Sequence, residues 1–267
     1  MTSDPSNPDG EGRWLSRAEP LGPPWVPAHL PPALFHYTDA SALLSILQTD
    51  KVWASDYRTL NDYMEGDLIR AEFGPVGERR EILFVTSLST KRDHLSQWRA
   101  YGTYALELDP SKLTMLPGFQ LVKCEYFECD EPIWDHWPAT GRAKVIEKGV
   151  TQHVDLACLA PSVAAEDAAK LVTRLILKHA GFREEDEWRL IGIRTLGDDT
   201  IRWRSSKGRV IPYLEVSVPD AITRVVVGPQ PRQEVAYRAL DLLRKHRVAQ
   251  GKPDFHVVVS DTTYTTL

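Results

Sequence analysis

The 267-residue chain is poor in cysteine, with only Cys124, Cys129 and Cys158. So few cysteines, in an odd number, exclude a disulfide scaffold and favour a reducing, cytoplasmic compartment. Long hydrophobic runs are also lacking, since no apolar stretch approaches the roughly 18–20 residues that span a bilayer. The first residues, MTSDPSNPDGEG, have neither the basic nor the apolar region of a signal peptide. We therefore expect a cytoplasmic protein that does not engage a membrane.

An excess of positive charge is missing too. The chain has 32 Lys and Arg residues against 37 Asp and Glu residues, for a net charge of −5. Proteins whose affinity rests on a broad phosphate-neutralising surface have the opposite balance. The composition therefore argues against a general nucleic-acid-binding protein, although it leaves room for a local basic groove. With 42% hydrophobic and 26% charged residues, the chain is neither disordered throughout nor fibrous.

Several short catalytic signatures are absent, namely G-x-S-x-G, G-x-x-x-x-G-K-[ST], G-x-G-x-x-G and H-E-x-x-H. Their absence removes the simplest hydrolase, nucleoside-triphosphatase and zinc-protease interpretations. Cys124, Cys129 and His136 are too few and too widely spaced for a structural zinc site. Cys124 alternates with Val122 and Tyr126 on an apolar strand face, which predicts a packed thiol. We expect no metal cofactor.

Proline divides the chain, because eight of the nineteen prolines lie in residues 1–32. Proline at this density blocks helix and sheet interiors, so 1–32 is predicted to be a proline-rich N-terminal arm. Residues 33–267 are predicted to form a single α+β domain, since strands dominate its middle and end without strict βαβ alternation. Its predicted strands cover 33–37, 82–89, 104–109, 119–128, 188–194, 201–204, 210–218, 222–227 and 255–260. Its predicted helices follow Thr38 and Asp93 as caps, fill much of 143–180 and span 231–249.

Four polar clusters stand out within the predicted domain. They are His36-Tyr37-Thr38, Asn61-Asp62 with Glu65, Trp98-Arg-Ala-Tyr101-Gly102 shortly after Thr86-Ser-Leu-Ser89, and Glu185-Asp-Glu187-Trp-Arg189. Each has an ordinary structural explanation. A lone histidine can be hydrogen-bonded in a core, an acidic run can be a solvated turn, and aromatic residues on one helical face can be core.

Taken together, the four clusters resemble a widespread, largely uncharacterised bacterial domain family, over roughly residues 33–230. The opening LFHYTDASALLSILQ also resembles the first strand and helix of ADP-ribosyltransferases of the H-Y-E type. The resemblance implies an ADP-ribosyltransferase-like split β-sheet with flanking helices. It further implies NAD as substrate, and a role as a bacterial toxin or phage-defence effector.

The resemblance also implies roles for individual residues. His36 would hydrogen-bond the NAD ribose, Tyr101 would be the middle aromatic residue and Glu187 the acid that opens a late strand. Trp98 and Tyr104 compete with Tyr101, and Glu185 competes with Glu187. The remaining NAD-binding candidates are Tyr37, Thr38, Ser87, Ser89 and Arg189.

These residue types suit cleavage of the nicotinamide–ribose bond. A carboxylate stabilises the oxocarbenium-like transition state, as in glycoside hydrolysis, while an aromatic face and a histidine position the nicotinamide and the ribose. Because nicotinamide leaves from a cationic ring, no general acid is needed. Arg189 would orient Glu187 or contact the pyrophosphate, and its ordinary explanation is an ion pair with an acid such as Glu185. ADP-ribose would pass to a macromolecule or to water.

A basic stretch bears on which molecule would accept the ADP-ribose, without deciding it. Arg202, Arg204, Lys207 and Arg209 surround Trp203, which suits either a nucleobase-stacking surface or a solvated hairpin. Two other functions remain possible: a non-enzymatic sensor or interaction domain, and a nucleic-acid-processing enzyme centred on this stretch. Convergence of His36, an aromatic residue and Glu185 or Glu187 in one cleft would favour the enzyme over a binding module.

Overall fold

The computed structural model describes residues 29–60, 81–127, 142–147, 150–155, 175–206 and 208–262. Of the predicted N-terminal arm, only 29–32 lies within these ranges. The cluster of Asn61, Asp62 and Glu65 lies outside the described residues, as does Lys207.

Within these ranges the chain forms fourteen strands and four α-helices. The strands are β1 (Leu34–Thr38), β2 (Lys51–Asp56), β3 (Glu81–Ser89), β4 (Tyr104–Leu108), β5 (Gln120–Lys123), β6 (Glu125–Phe127), β7 (Arg142–Glu147), β8 (Val150–Asp155), β9 (Leu177–His179), β10 (Glu187–Thr195), β11 (Arg202–Ser206), β12 (Arg209–Ser217), β13 (Ile222–Val227) and β14 (His256–Val259). The helices are α1 (Ala40–Thr49), α2 (Leu95–Tyr101), α3 (Pro110–Leu113) and α4 (Gln233–Ala249). Two 3₁₀ turns cover Tyr57–Thr59 and Ala180–Glu185.

Ten of these strands form one large, mostly antiparallel sheet in the order β11-β12-β2-β3-β1-β4-β13-β14, with β10 and β5 branching from β3. The pair β13–β14 is parallel, and β6–β9 and β7–β8 form two small separate sheets. A dominant antiparallel sheet with flanking helices confirms the α+β class. None of the helices in the described ranges combines the length and apolar character that crossing a bilayer requires.

The sheet divides in two along one edge of β3. Strand β10 covers the other edge of β3 along its whole length. On the dividing edge, pairing with β2 ends at Val85, opposite Ser55, and pairing with β1 is at Ser89, opposite Phe35. Beyond these points, β1 pairs with β4, whereas β2 pairs with β12. Two branches therefore separate at the middle of β3, and α1 connects them.

Helix α1 packs its apolar side onto the core, where Leu43, Ile46 and Leu47 are buried. Burial of each such side chain contributes roughly 1.5–3 kcal/mol. Its N-cap is Asp39, whose carboxylate accepts a 2.8 Å hydrogen bond from the Ala42 amide, and not the predicted Thr38. Thr38 is unavailable as the cap because it still belongs to β1, paired with Tyr104.

Residues 142–155 correct the predicted helical region at 143–180. The segments 142–147 and 150–155 pair as an antiparallel hairpin, from Arg142 opposite Asp155 to Glu147 opposite Val150. Its β-branched residues favour extended backbone once a partner strand is present. The predicted helical region is also wrong at its end, because Leu177–His179 is a strand that pairs with β6; residues 156–174 lie outside the described ranges.

Candidate functional site

A cavity of about 260 Å³ lies where the sheet divides, between the β1 and β2 branches. Nine of the residues predicted for the NAD site line it: His36, Tyr37, Thr38, Ser87, Ser89, Tyr101, Glu185, Glu187 and Arg189. Trp98 and Tyr104, the alternatives to Tyr101, are not among the lining residues. The first, third and fourth clusters therefore meet at one place in the fold.

His36 on β1 is held in a defined tautomer. Its Nδ1 lies 3.1 Å from the carbonyl oxygen of Ser87 on β3. Because a carbonyl only accepts hydrogen bonds, Nδ1 donates, and Nε2 of the neutral ring remains an acceptor. Burial lowers the pKa of His36, and this effect outweighs the Ser87 hydrogen bond, which raises it. The cavity thus has a neutral imidazole with an acceptor nitrogen.

The half-buried His36 should make stability depend on pH. Since its pKa is lower in the folded chain than the ordinary value of 6.5, the unfolded chain binds a proton first as the pH falls. The free energy of unfolding should therefore decrease as the pH drops through 6.5, by at most about 1.4 kcal/mol per pH unit for one proton. Urea unfolding at several pH values, compared between the wild type and His36→Asn, measures this. An identical pH slope in both proteins would contradict it.

Tyr37 and Trp98 pack against each other beside the cavity. Their rings meet edge to face with centroids 4.6 Å apart, and the Tyr37 hydroxyl donates to the Lys91 carbonyl at 2.5 Å. Trp98 is buried and donates through Nε1 to Asp93 at 2.6 Å. Asp93 therefore fixes Trp98, and the residue at the N-cap position of α2 is His94 and not the predicted Asp93. Trp98 therefore packs against Tyr37, which lines the cavity, and does not line the cavity itself.

Helix α2 ends against β1 at Gly102. Gly102 has φ +132°, and a Cβ there would overlap the carbonyl of Thr38. Only glycine allows both this backbone conformation and this close approach. The contact places Tyr101, 37% exposed, among the residues that line the cavity.

Glu187, the first residue of β10, is buried and bound by two cations. Its Oε1 accepts from Arg189 Nε at 2.8 Å, and its Oε2 accepts from Lys178 Nζ at 2.7 Å. Burial alone raises the pKa of Glu187, but the positive charges and hydrogen bonds of Arg189 and Lys178 outweigh it and hold the pKa at about 2. The carboxylate is therefore ionised throughout the physiological range.

Lys178 links the two rival acids. Besides Glu187, its Nζ contacts Glu185 Oε2 at 2.7 Å. Glu185 is the more accessible acid, with 18% side-chain exposure against 4% for Glu187. The Ser89 hydroxyl donates to the Glu185 carbonyl at 2.6 Å. The sequence did not reveal Lys178, since it lies in a segment predicted to be helical and no local motif marks it.

The Arg189 side chain is 1% exposed and forms its hydrogen bonds within the cavity wall. Its guanidinium donates to both carboxylate oxygens of Glu187, at 2.8 and 3.2 Å, and to the Leu175 carbonyl at 2.9 Å. These contacts hold the carboxylate of Glu187 in one orientation, with its negative charge balanced by Arg189 and Lys178.

The opposite wall comes from β2 and the β11–β12 hairpin. It includes Trp53, Ser55, Arg204, Ser206 and Arg209. Ser55 was not singled out in the sequence, and neither was the strand β2 that carries it, although Val52 and Ala54 are buried apolar residues two positions apart, which is the period of a strand.

The predicted basic stretch lies along the same hairpin, and only part of it reaches the cavity. Arg204 and Arg209 line the cavity, whereas Arg202 does not. Trp203, between Arg202 and Arg204, is 64% exposed. Of the described basic residues in this stretch, two therefore belong to the cavity.

Among the described residues, no three His, Cys, Asp or Glu side chains are grouped so that they could hold a metal ion. Searches for similar proteins add no assignment: no protein-family model matches the chain, and no curated protein matches it significantly.

Proposed function

We propose that the chain binds NAD in this cavity and cleaves its nicotinamide–ribose bond. The observation that carries the proposal is the convergence of His36, Tyr101 and Glu187 on one cavity. These residues come from β1, α2 and β10, three separate parts of the chain. A domain used only for interaction through its surface has no need to gather a neutral histidine, an aromatic ring and an ionised carboxylate at one point.

The position of the cavity supports the same conclusion. It lies where two branches leave one edge of β3, an arrangement that suits the split sheet implied by the resemblance to ADP-ribosyltransferases. Its volume of about 260 Å³ is just below the roughly 300–1,000 Å³ of pockets that enclose a whole drug-sized ligand. We assign this volume to the nicotinamide–ribose end of NAD, with the rest of the dinucleotide extending toward the β11–β12 hairpin.

In the proposed reaction the C–N bond breaks and its electron pair leaves with nicotinamide. Glu187 stabilises the oxocarbenium-like ribose, Tyr101 stacks on the nicotinamide ring, and Nε2 of His36 accepts a hydrogen bond from a ribose hydroxyl. A nucleophile, either a group on a macromolecule or water, then bonds to the ribose carbon and loses its proton. Consumption of NAD or modification of an essential acceptor would suit a toxin or a phage-defence effector.

His36→Asn tests the proposal with little change in shape. The asparagine amide nitrogen can replace Nδ1 as donor to Ser87, but the acceptor at Nε2 is lost. We expect the KM for NAD to rise roughly 3- to 10-fold, the cost of one hydrogen bond. Release of nicotinamide, followed by chromatography at several NAD concentrations, measures the change.

His256→Asn is the matched control, because His256 is an exposed strand histidine outside the cavity. It should leave the KM for NAD unchanged. NAD binding without nicotinamide release would show a binding module and overturn the proposed chemistry. Absence of both NAD binding and nicotinamide release would overturn the proposal as a whole.

A further inference from the structure

Arg204 is held at the cavity by two residues of the neighbouring strand β2. Its Nη2 donates to Ser55 Oγ at 3.1 Å, and its Cζ lies 4.9 Å from the centre of the Trp53 ring. Ser55 and Trp53 also line the cavity. The guanidinium is therefore kept in one place by a hydrogen bond and a cation–π contact.

Among the described residues, Arg204 has no carboxylate within ion-pair distance, and its buried Nε has no hydrogen-bond partner. Burial lowers the pKa of Arg204, whereas the more distant Tyr213 and Asp39 raise it. The other cavity wall differs, since Lys178 and Arg189 face Glu185 and Glu187 there. A partly buried guanidinium without a carboxylate is costly unless an anion completes it.

We propose that Arg204 binds the diphosphate of the dinucleotide. This inference rests on the proposed function and names the residue that receives the charged part of the substrate. A guanidinium presents a planar fork of N–H donors that matches phosphate oxygens. Trp53 and Ser55 orient this fork, and Arg209 lines the same side of the cavity. Arg204 thus serves NAD and not a macromolecular acceptor, which was one of the alternatives left open for the basic stretch.

Calorimetric titration of the full chain with ADP and with adenosine tests the inference. The wild type should bind ADP more tightly than adenosine, because only ADP carries the diphosphate. Arg204→Gln should weaken ADP binding roughly 10- to 100-fold, the effect of losing a charged hydrogen-bond donor. It should leave adenosine binding unchanged. Arg202→Gln is the matched control, since Arg202 lies on the same strand outside the cavity, and should not alter ADP affinity.

A second variant covers the case in which Arg204→Gln does not fold, as judged by its melting curve. Ser55→Ala removes only the hydroxyl that supports Nη2 and should weaken ADP binding several-fold. Equal ADP affinity in the wild type and in the folded variants would overturn the inference. Arg204-dependent binding of a short single-stranded oligonucleotide, without binding of ADP, would also overturn it.

The ADP-binding test distinguishes failure of the diphosphate site from failure of the proposed NAD cleavage. Arg204-dependent binding of ADP without any nicotinamide release would support the diphosphate site and refute only the chemistry. Nicotinamide release that is unaffected by Arg204→Gln at low NAD concentration would refute the diphosphate site and leave the chemistry standing.

Discussion

Replacement of Glu187 by aspartate is expected to reduce nicotinamide release at least about a hundredfold, because the carboxylate retreats by one methylene group. The negative charge that Arg189 and Lys178 require is kept, so the fold should persist. Single-turnover release of nicotinamide at saturating NAD measures the effect, which should appear in the rate and not in NAD affinity, since Glu187 acts on the transition state.

Glutamine at position 187 would abolish release but would also lower stability, because it removes the negative charge that Lys178 and Arg189 both contact. Glu187→Asp is therefore the more informative variant, because it moves the carboxylate without removing its charge. Glu185→Gln is the control and should retain more than about a tenth of the activity if Glu187 is the acid. A larger loss with Glu185→Gln than with Glu187→Asp would transfer the role to Glu185.

Replacement of Arg189 by methionine is expected to lower the free energy of unfolding by about 3–5 kcal/mol, the range for breaking a buried ion pair. Glu187 would keep only Lys178, which it shares with Glu185, and the Leu175 carbonyl would lose its donor. The charged groups left at this site, Glu185, Glu187 and Lys178, would then have a net negative charge. Chemical denaturation followed by tryptophan fluorescence measures the change.

Lys51→Met provides the comparison, because Lys51 and Glu215 form an exposed ion pair at 2.6 Å. An exposed pair contributes only about 0.2–1 kcal/mol. Arg189→Lys should fall between the two, since lysine restores the charge but not the two-pronged contact with Glu187. If Arg189→Met were no less stable than Lys51→Met, the network around Glu187 would not be a stabilising element.

Local patterns predicted much of the secondary structure. The short apolar runs in 82–89 and 222–227 correspond to β3 and β13, and the helix predicted near 231–249 corresponds to α4. These elements are specified by their own residues, because short apolar runs rich in β-branched residues favour strands, whereas apolar residues with a period of 3.6 favour a helix. The hairpin at 142–155 was missed because its β-branched residues also fit a helical stripe, and only its partner strand distinguishes the two.

The tryptophan residues show how far position in the chain predicts position in space. Trp53 lines the cavity, Trp98 packs behind Tyr37, Trp188 is buried in the main core, and Trp203 is largely exposed. Trp98, Trp188 and Trp203 belong to clusters or stretches singled out in the sequence, yet of these four tryptophans only Trp53 lines the cavity. A tryptophan provides the same apolar surface in each setting, so its environment depends on which strands and helices meet.

The sequence by itself determined the α+β class, the strand that carries His36 and the strand that begins at Glu187, because these follow from short-range spacing. Only the tertiary structure decided that the sheet divides at β3, that Lys178 reaches Glu187, and that Arg204 lies at a cavity. Each of these depends on pairing between segments far apart in the chain. The number of competing pairings is large, and burial and charge balance in the folded chain select among them.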